Sequence, residues 1–421
     1  MRTALTLLAI LALLAAGCAP AASPAPPKVE APRAATLRAG TSGDYPPLST
    51  WPSDRDRPDG FAPALLESFA RSQNGAIAWT RYHWPELASD FERDLFDLAA
   101  DGITVRPERS VLGRFTVPIA RGGAVLLLRR PAWAKDAGTS LAGIDRPELR
   151  VVVNRGGHLE RVARRLLHHA DVRAIADNQG VRDALARGEA DAAMTNTFEA
   201  PRWKEGLGGI EAIGPLTRDV TALWVRADRP ELGQELDAWL LAEEESGRLD
   251  ALRAKWLGPG GDGPTARPVD ALLAATAERL ALMPFVAAAK KKTGRAVEDA
   301  AQEQRVLAAA RDVVARAAKA HGVATPPAER IDAFFRAQIE AAKAVQEADA
   351  GPDSAPFSLE RDLRPAIARI TARMAFLLVR VPSGTSRDAV LARAKEDLAE
   401  TGLPAEHVDR LATALSAFAP R

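Results

Sequence analysis

Two kinds of hydrophobic spacing divide the chain. Between residues 36 and 257, short runs rich in apolar and β-branched residues alternate with stretches of helical period. Runs at 36–40, 76–82, 124–128, 150–154, 171–176, 191–194 and 222–225 predict strands, and 62–71 and 159–168 predict helices between them. Such alternation predicts α/β layers. Gly258-Pro-Gly-Gly-Asp-Gly-Pro264 then interrupts any regular element. Beyond it no strand-like run survives, and apolar residues recur at helical spacing, as at Leu272, Leu273, Leu280 and Met283. The expected organisation is an α/β domain over 36–257, a Gly/Pro linker over 258–268 and an all-α domain of five or six helices over 269–421.

Residues 1–35 follow neither pattern. Arg2 precedes an apolar run at 4–16, shorter than the about 20 residues that span a bilayer, and small residues follow it. A signal peptide over 1–17 is expected. Cys18 stands directly after Leu14-Ala15-Ala16-Gly17 and resembles the lipidation site of a bacterial lipoprotein, with Ala15 where Leu is usual. A plain secreted protein is the alternative. Residues 18–35, rich in Pro and Ala, predict an extended tether. These features place the protein in the periplasm, with a lipid anchor at Cys18 as the further expectation.

Composition narrows the chemistry. Lys+Arg 56 against Asp+Glu 55 leaves no global charge for nucleic acid. One cysteine excludes a disulfide framework, and six His without a His-x-x-x-His pair leave little to hold a metal. No cofactor or metal is expected.

Several phrases of the front half carry a resemblance: Leu37-Arg-Ala-Gly-Thr-Ser-Gly-Asp-Tyr-Pro-Pro47, Trp84-Pro-Glu-Leu87, and Phe96-Asp-Leu-Ala-Ala-Asp-Gly-Ile-Thr-Val-Arg-Pro-Glu-Arg109. They resemble the type II periplasmic solute-binding fold, in which two lobes hold ligand in a cleft. The resemblance implies one lobe over 36–127 plus 223–257 and another over 128–222. Asp44-Tyr45, Asn154-Arg-Gly-Gly-His-Leu-Glu160 and Met194-Thr-Asn-Thr-Phe-Glu-Ala200 are similar to the cyclohexadienyl dehydratases of this fold. These enzymes convert prephenate to phenylpyruvate and arogenate to phenylalanine.

A dianion such as prephenate needs fixed cations and N–H donors. Thr104 and Arg109 match the family's carboxylate clamp, and a guanidinium suits bidentate capture. The turn at Gly156 and Gly157 offers backbone N–H groups. Asp44 and Trp84 are further substrate contacts implied by the resemblance, Trp84 being an equally good core residue. Asn196 stands where amino-acid receptors of this fold place an Asp, which favours prephenate over an ammonium-bearing ligand. Glu199 matches the dehydratase's general acid; taken alone it reads as a solvated helix residue. A Lys common in the family is replaced by Ala124, so either the substrate is oriented differently or Arg121 or Arg155 substitutes.

In the back half, Ala277-Glu-Arg-Leu-Ala-Leu-Met-Pro-Phe-Val-Ala-Ala-Ala-Lys290, Val297-Glu-Asp299 and Phe334-Phe-Arg-Ala-Gln-Ile-Glu-Ala-Ala-Lys-Ala-Val-Gln346 resemble the secreted gamma class of AroQ-type chorismate mutases. The resemblance implies that Arg279 binds a carboxylate, while Lys290 and Gln346 donate to the ether oxygen. It further implies that Asp299 binds the hydroxyl or orients Lys290, and that Arg373 binds a carboxylate. Gln302 stands at a substrate-binding position where the family has Arg, with Arg305 one turn on, and Ala342 replaces a small polar residue. Singly, each cation reads as helix-surface charge. Together the halves imply an exported bifunctional enzyme acting on chorismate and then prephenate, and a homo-oligomer. The rival is an amino-acid or organic-anion receptor fused to a mutase.

Overall fold

The computed structural model describes residues 36–131, 140–258, 265–349, 351–352 and 354–418. The signal peptide, Cys18, the tether and much of the Gly/Pro linker lie outside the described residues. From Thr36 onward the chain packs as one compact unit.

The front half has two main sheets. The first is built from β1 (Thr36–Thr41), β4 (Ala76–Arg81), β5 (Leu98–Thr104), β6 (Gly113–Phe115), β7 (Ala120–Gly122) and β13 (Asp219–Arg226), in the order β4-β1-β5-β13-β6 with β7 also on β13. A small ribbon, β2 (Asp44–Tyr45) with β3 (Ser49–Thr50), lies beside it in sequence. The second sheet contains β8 (Ala124–Arg129), β9 (Arg150–Asn154), β10 (Asp171–Ile175), β11 (Ala192–Asn196) and β12 (Ile210–Ile213), ordered β10-β9-β11-β8-β12. The β1–β4, β1–β5, β9–β10 and β9–β11 pairs are parallel, so helices cross between them. Helices α1 (Phe61–Ser72), α2 (Leu87–Glu92), α3 (Pro107–Leu112), α8 (Pro230–Glu245) and α9 (Arg248–Leu257) accompany the first sheet; α4 (Leu141–Ile144), α5 (His158–Leu166), α6 (Asn178–Ala186) and α7 (Ala200–Lys204) accompany the second.

The chain crosses between lobes at Gly123 and again between β12 and β13. The first crossover therefore falls before Ala124 rather than after residue 127, and β8 belongs wholly to the second lobe. A Cβ on Gly123 would stand 2.0 Å from the Thr217 carbonyl oxygen, so the two crossing strands touch because glycine is there. Strand β5 was not among the expected strands. Asp101 and Gly102 interrupt its apolar pattern, yet Leu98 through Ile103 are all buried.

The back half is helical among the described residues: α10 (Pro268–Ala281), α11 (Met283–Lys292), α12 (Ala300–His321), α13 (Ala328–Ala348), α14 (Arg364–Leu378), α15 (Arg387–Asp397) and α16 (Ala405–Ser416). Helices α10 and α11 are the two parts of one rod, Pro268–Lys292, interrupted at Leu282 beside Pro284. The rod is apolar enough to cross a membrane, but 78% of its most apolar window is buried within the protein. Its hydrophobicity serves the core.

The two halves share that core. One apolar cluster runs from Leu65, Leu66 and Leu240 in front to Leu272, Phe334 and Met374 behind. Polar contacts close the seam. Arg121 pairs bidentately with Asp397 at 2.7 and 2.9 Å, and Arg369 donates to the carbonyls of Ser110 and Val111. The halves are docked, whatever the composition of the linker.

Candidate active sites

A narrow cleft opens between the lobes of the front half, with about 50 Å³ of space that water can occupy. Strand ends and helix starts supply its walls: Tyr45, Trp84, Thr104 and Arg109 on one side, Asn154, Gly157, His158, Asn178 and Asn196 on the other. Trp84 meets Tyr45 and Tyr82 edge-on, with centroids 5.6 and 5.8 Å apart, and makes an apolar wall. Arg109 donates to the Thr104 carbonyl at 3.0 Å, and no described carboxylate hydrogen-bonds it. Enclosure by protein pulls its pKa down to about 9, so it remains a cation at neutral pH.

Glu199 lies directly behind this lining and is wholly buried. Asn178, a wall residue, donates to its Oε1; Thr195 and the second wall residue, Asn196, donate to Oε2 at 2.8 and 3.2 Å. Those bonds favour the carboxylate, but burial outweighs them and pushes the pKa up to about 8. At neutral pH Glu199 is a carboxylic acid. Both asparagines present N–H to it, so its proton has no acceptor in either amide as placed. Asn196 is held by the Phe198 and Glu199 backbone N–H groups on its Oδ1, at 2.8 and 3.1 Å.

Other expected contacts stand elsewhere. The Gly156 N–H is spent on Glu160 Oε2 at 2.8 Å, so Gly157 lines the cleft and Gly156 does not. Asp44 is not in the wall; its carbonyl faces Asn178 Nδ2 at 3.4 Å and its buried Oδ1 has no partner. Neither proposed substitute for the missing lysine reaches the cleft. Arg121 is held by Asp397, and Arg155 donates to the Ala174 carbonyl.

The polar groups expected to serve the mutase step are engaged separately in the back half. Arg279 is buried and donates to the Gln338 carbonyl at 2.9 Å. The other buried arginines, Arg106, Arg114, Arg253 and Arg373, each pair with a carboxylate; among the described residues Arg279 pairs with none. Burial alone lowers its pKa, to about 10. Lys290 donates to the Val297 carbonyl at 2.7 Å; burial lowers its pKa, while the charge of Asp299 opposes that. Gln346 donates to Ala342 O at 3.0 Å and faces Met283 Sδ, leaving its buried Oε1 unpartnered.

Three expected mutase contacts are engaged otherwise. Arg373 pairs with Glu278 and donates to the Phe115 carbonyl of the front half, so its guanidinium is a seam contact. Ser110 completes that knot through Glu278 Oε1 at 2.8 Å. Asp299 is exposed and caps α12 by accepting from Gln302 N–H. Gln302 Oε1 accepts from Arg305, which is exposed and does not replace the missing arginine.

The family model for bacterial extracellular solute-binding proteins, family 3, matches residues 37–259. The chain belongs to that family. Behind this family 3 domain the chain carries a chorismate mutase type II domain, matched over residues 270–347. The cyclohexadienyl dehydratase of Pseudomonas aeruginosa is 30% identical over 224 residues, covering 52% of this chain and 82% of that protein. A putative binding component of an ABC transporter from Wolinella succinogenes, solved with lysine, is 21% identical; the match covers 53% of this chain and 97% of that one, at a TM-score of 0.50. That likeness concerns the fold. An ancestral amino acid-binding protein described as a precursor of cyclohexadienyl dehydratase is 25% identical over 53% of this chain and 95% of that one, at a TM-score of 0.49.

Sequence reasoning missed three polar groups of this family 3 domain. Asn178 is the direct partner of Glu199; its signal was Asp177-Asn-Gln-Gly180, a helix-start phrase after the strand at 171–175, where α/β folds place ligand contacts. His158 pairs with Asp219 at 2.9 Å across the lobes, a contact no spacing reveals. Asp101 accepts from Tyr82 OH and Ser42 N–H beneath the cleft, and burial raises its pKa to about 7.

Proposed function

We propose that the chain is a bifunctional enzyme: the helical half isomerises chorismate to prephenate, and the two-lobed half converts prephenate to phenylpyruvate, water and CO2. Arogenate would give phenylalanine by the same losses. The observation that carries the dehydratase reading is Glu199, an acid held neutral beside two amides that line the cleft containing Arg109. Hydroxide leaves poorly, so the reaction needs a proton on the ring hydroxyl. Glu199 supplies it, the C–O bond breaks to release water, and the electron pair of the departing carboxylate's C–C bond completes the aromatic ring. Proton donation of this kind contributes about 10²–10⁴-fold. Arg109 and Thr104 hold a carboxylate, and Trp84 packs on the ring.

The mutase step moves no proton. A dianion must be held folded while negative charge grows on the ether oxygen. Arg279, a buried cation without a carboxylate, fits a substrate carboxylate, and Lys290 and Gln346 fit the ether oxygen. The match to Pseudomonas aeruginosa cyclohexadienyl dehydratase and the mutase domain behind it support consecutive steps. Family 3 membership supports action outside the cytoplasm; the lipid anchor at Cys18 and a homo-oligomer are parts of the same proposal.

The test is a time course with purified protein and chorismate. Prephenate should rise transiently and phenylpyruvate should follow. Prephenate accumulating without loss would overturn the dehydratase half and leave a receptor fused to a mutase.

A further inference from the structure

The front cleft must hold two carboxylates, yet Arg109 and His158 are the only described lining side chains able to carry positive charge. His158 opens α5, and its Nε2 lies 2.9 Å from Asp219 Oδ1. Asp219 is itself held by Thr217 Oγ1, 3.0 Å from its Oδ2. The imidazole is therefore fixed from one edge, and among the described residues nothing hydrogen-bonds its Nδ1. Next to it on the same wall, Asn154 is only 7% exposed, and its Nδ2 has no hydrogen-bond partner. A buried N–H left unmade is costly, which argues that a ligand oxygen completes it. A simple stitch between His158 and Asp219 accounts for neither Asn154 nor the second negative charge.

We propose that His158, oriented by Asp219, acts with Asn154 as the receptor for the second carboxylate of the substrate, Arg109 taking the first. The inference rests on prephenate as the ligand. It also fills the role left open by Ala124, which Arg121 and Arg155 do not reach. Asp219 and His158 also line the groove of about 2300 Å³ between the two halves, so the pair stands where ligand would pass from groove to cleft.

Binding is measured by calorimetry in Glu199→Gln protein, which separates affinity from turnover. Adding His158→Gln should weaken prephenate at least tenfold but phenylpyruvate, with one carboxylate, less than threefold. His158→Lys should recover most of the prephenate affinity. Equal losses for both ligands would show that the pair only holds the lobes together, and an unchanged prephenate affinity would overturn the proposal. Failure of the Glu199→Gln protein to bind prephenate at all would also overturn it. The mutase rate of each variant reports intact folding. Prephenate turnover by the natural chain tests the dehydratase reading separately: bound but unconverted prephenate sinks that reading and leaves the carboxylate receptor standing.

Discussion

The two halves of the molecule solve the same binding problem and differ in one group. Each presents an arginine, Arg109 in front and Arg279 behind, that donates to a backbone carbonyl and carries no carboxylate. Such a cation has surrendered hydration without gaining an ion pair, a deficit that a substrate carboxylate would repair. The front half adds a buried acid whose pKa burial raises to about 8. In the mutase step as proposed its counterpart is Gln346, neutral at every pH. The contrast separates chemistry that must move a proton from chemistry that needs only fixed charge.

The largest expected effect removes that proton. Glu199→Gln should lower kcat for prephenate by about 10²–10⁴-fold, with chorismate turnover unchanged. Gln keeps the size and can still hydrogen-bond, so binding should survive. Equal loss in both activities would mean that the shared core had been disturbed, and the contrast between the halves would fail.

A pH series sharpens the comparison next. In the proposed step Glu199 acts in its protonated form, so prephenate turnover should be full well below about 8 and fall about tenfold per unit above it. None of the described groups proposed for the mutase step is a proton donor of that kind, so its rate should stay flat from about pH 6 to 8, Arg279 with a pKa of about 10 being a cation throughout that range. Gln346→Glu should introduce an acid-dependent mutase. A natural-chain mutase that drops steeply over the same range would show that an unassigned acid operates there.

Much of this was legible before any coordinates. Short apolar runs marked most of the main strands, because strands covered on both faces are apolar throughout, and helical spacing marked the back half. Glu199, Arg109, Asn196 and Trp84 were reached through motif phrases and do converge around one cleft. What failed had physical causes. Strand β5 carries Asp101 and Gly102, and Asp101 is held there by Tyr82 and Ser42 rather than by propensity. The Gly156 N–H looked available for an anion, but Glu160 four residues on takes it. The resemblance to the mutase family assigns Arg373 to a substrate carboxylate. Its partners, Glu278 and the Phe115 carbonyl, lie 95 and 258 residues away in the chain. No local pattern records a contact of that range.

The seam yields the smallest expected effect and asks how separate the two halves are. Arg121 stands beside Gly122 and Gly123, where the chain crosses between lobes, and Asp397 of α15 grips it through both carboxylate oxygens. Glu400, just beyond α15, accepts the Arg218 N–H on the other crossover. Both strands about which the lobes must turn are thus tied to the helical half while the cleft is narrow. A contact made in the closed arrangement shifts the opening equilibrium only by what it loses on opening. Asp397→Asn keeps the shape but weakens a charge-assisted pair, by about 1 kcal/mol, or roughly fivefold. KM for prephenate should therefore rise about two- to fivefold, with kcat for chorismate unaltered. An unchanged KM would mean that the lobes close without help from the helices, and that the halves share a core but no conformational coupling.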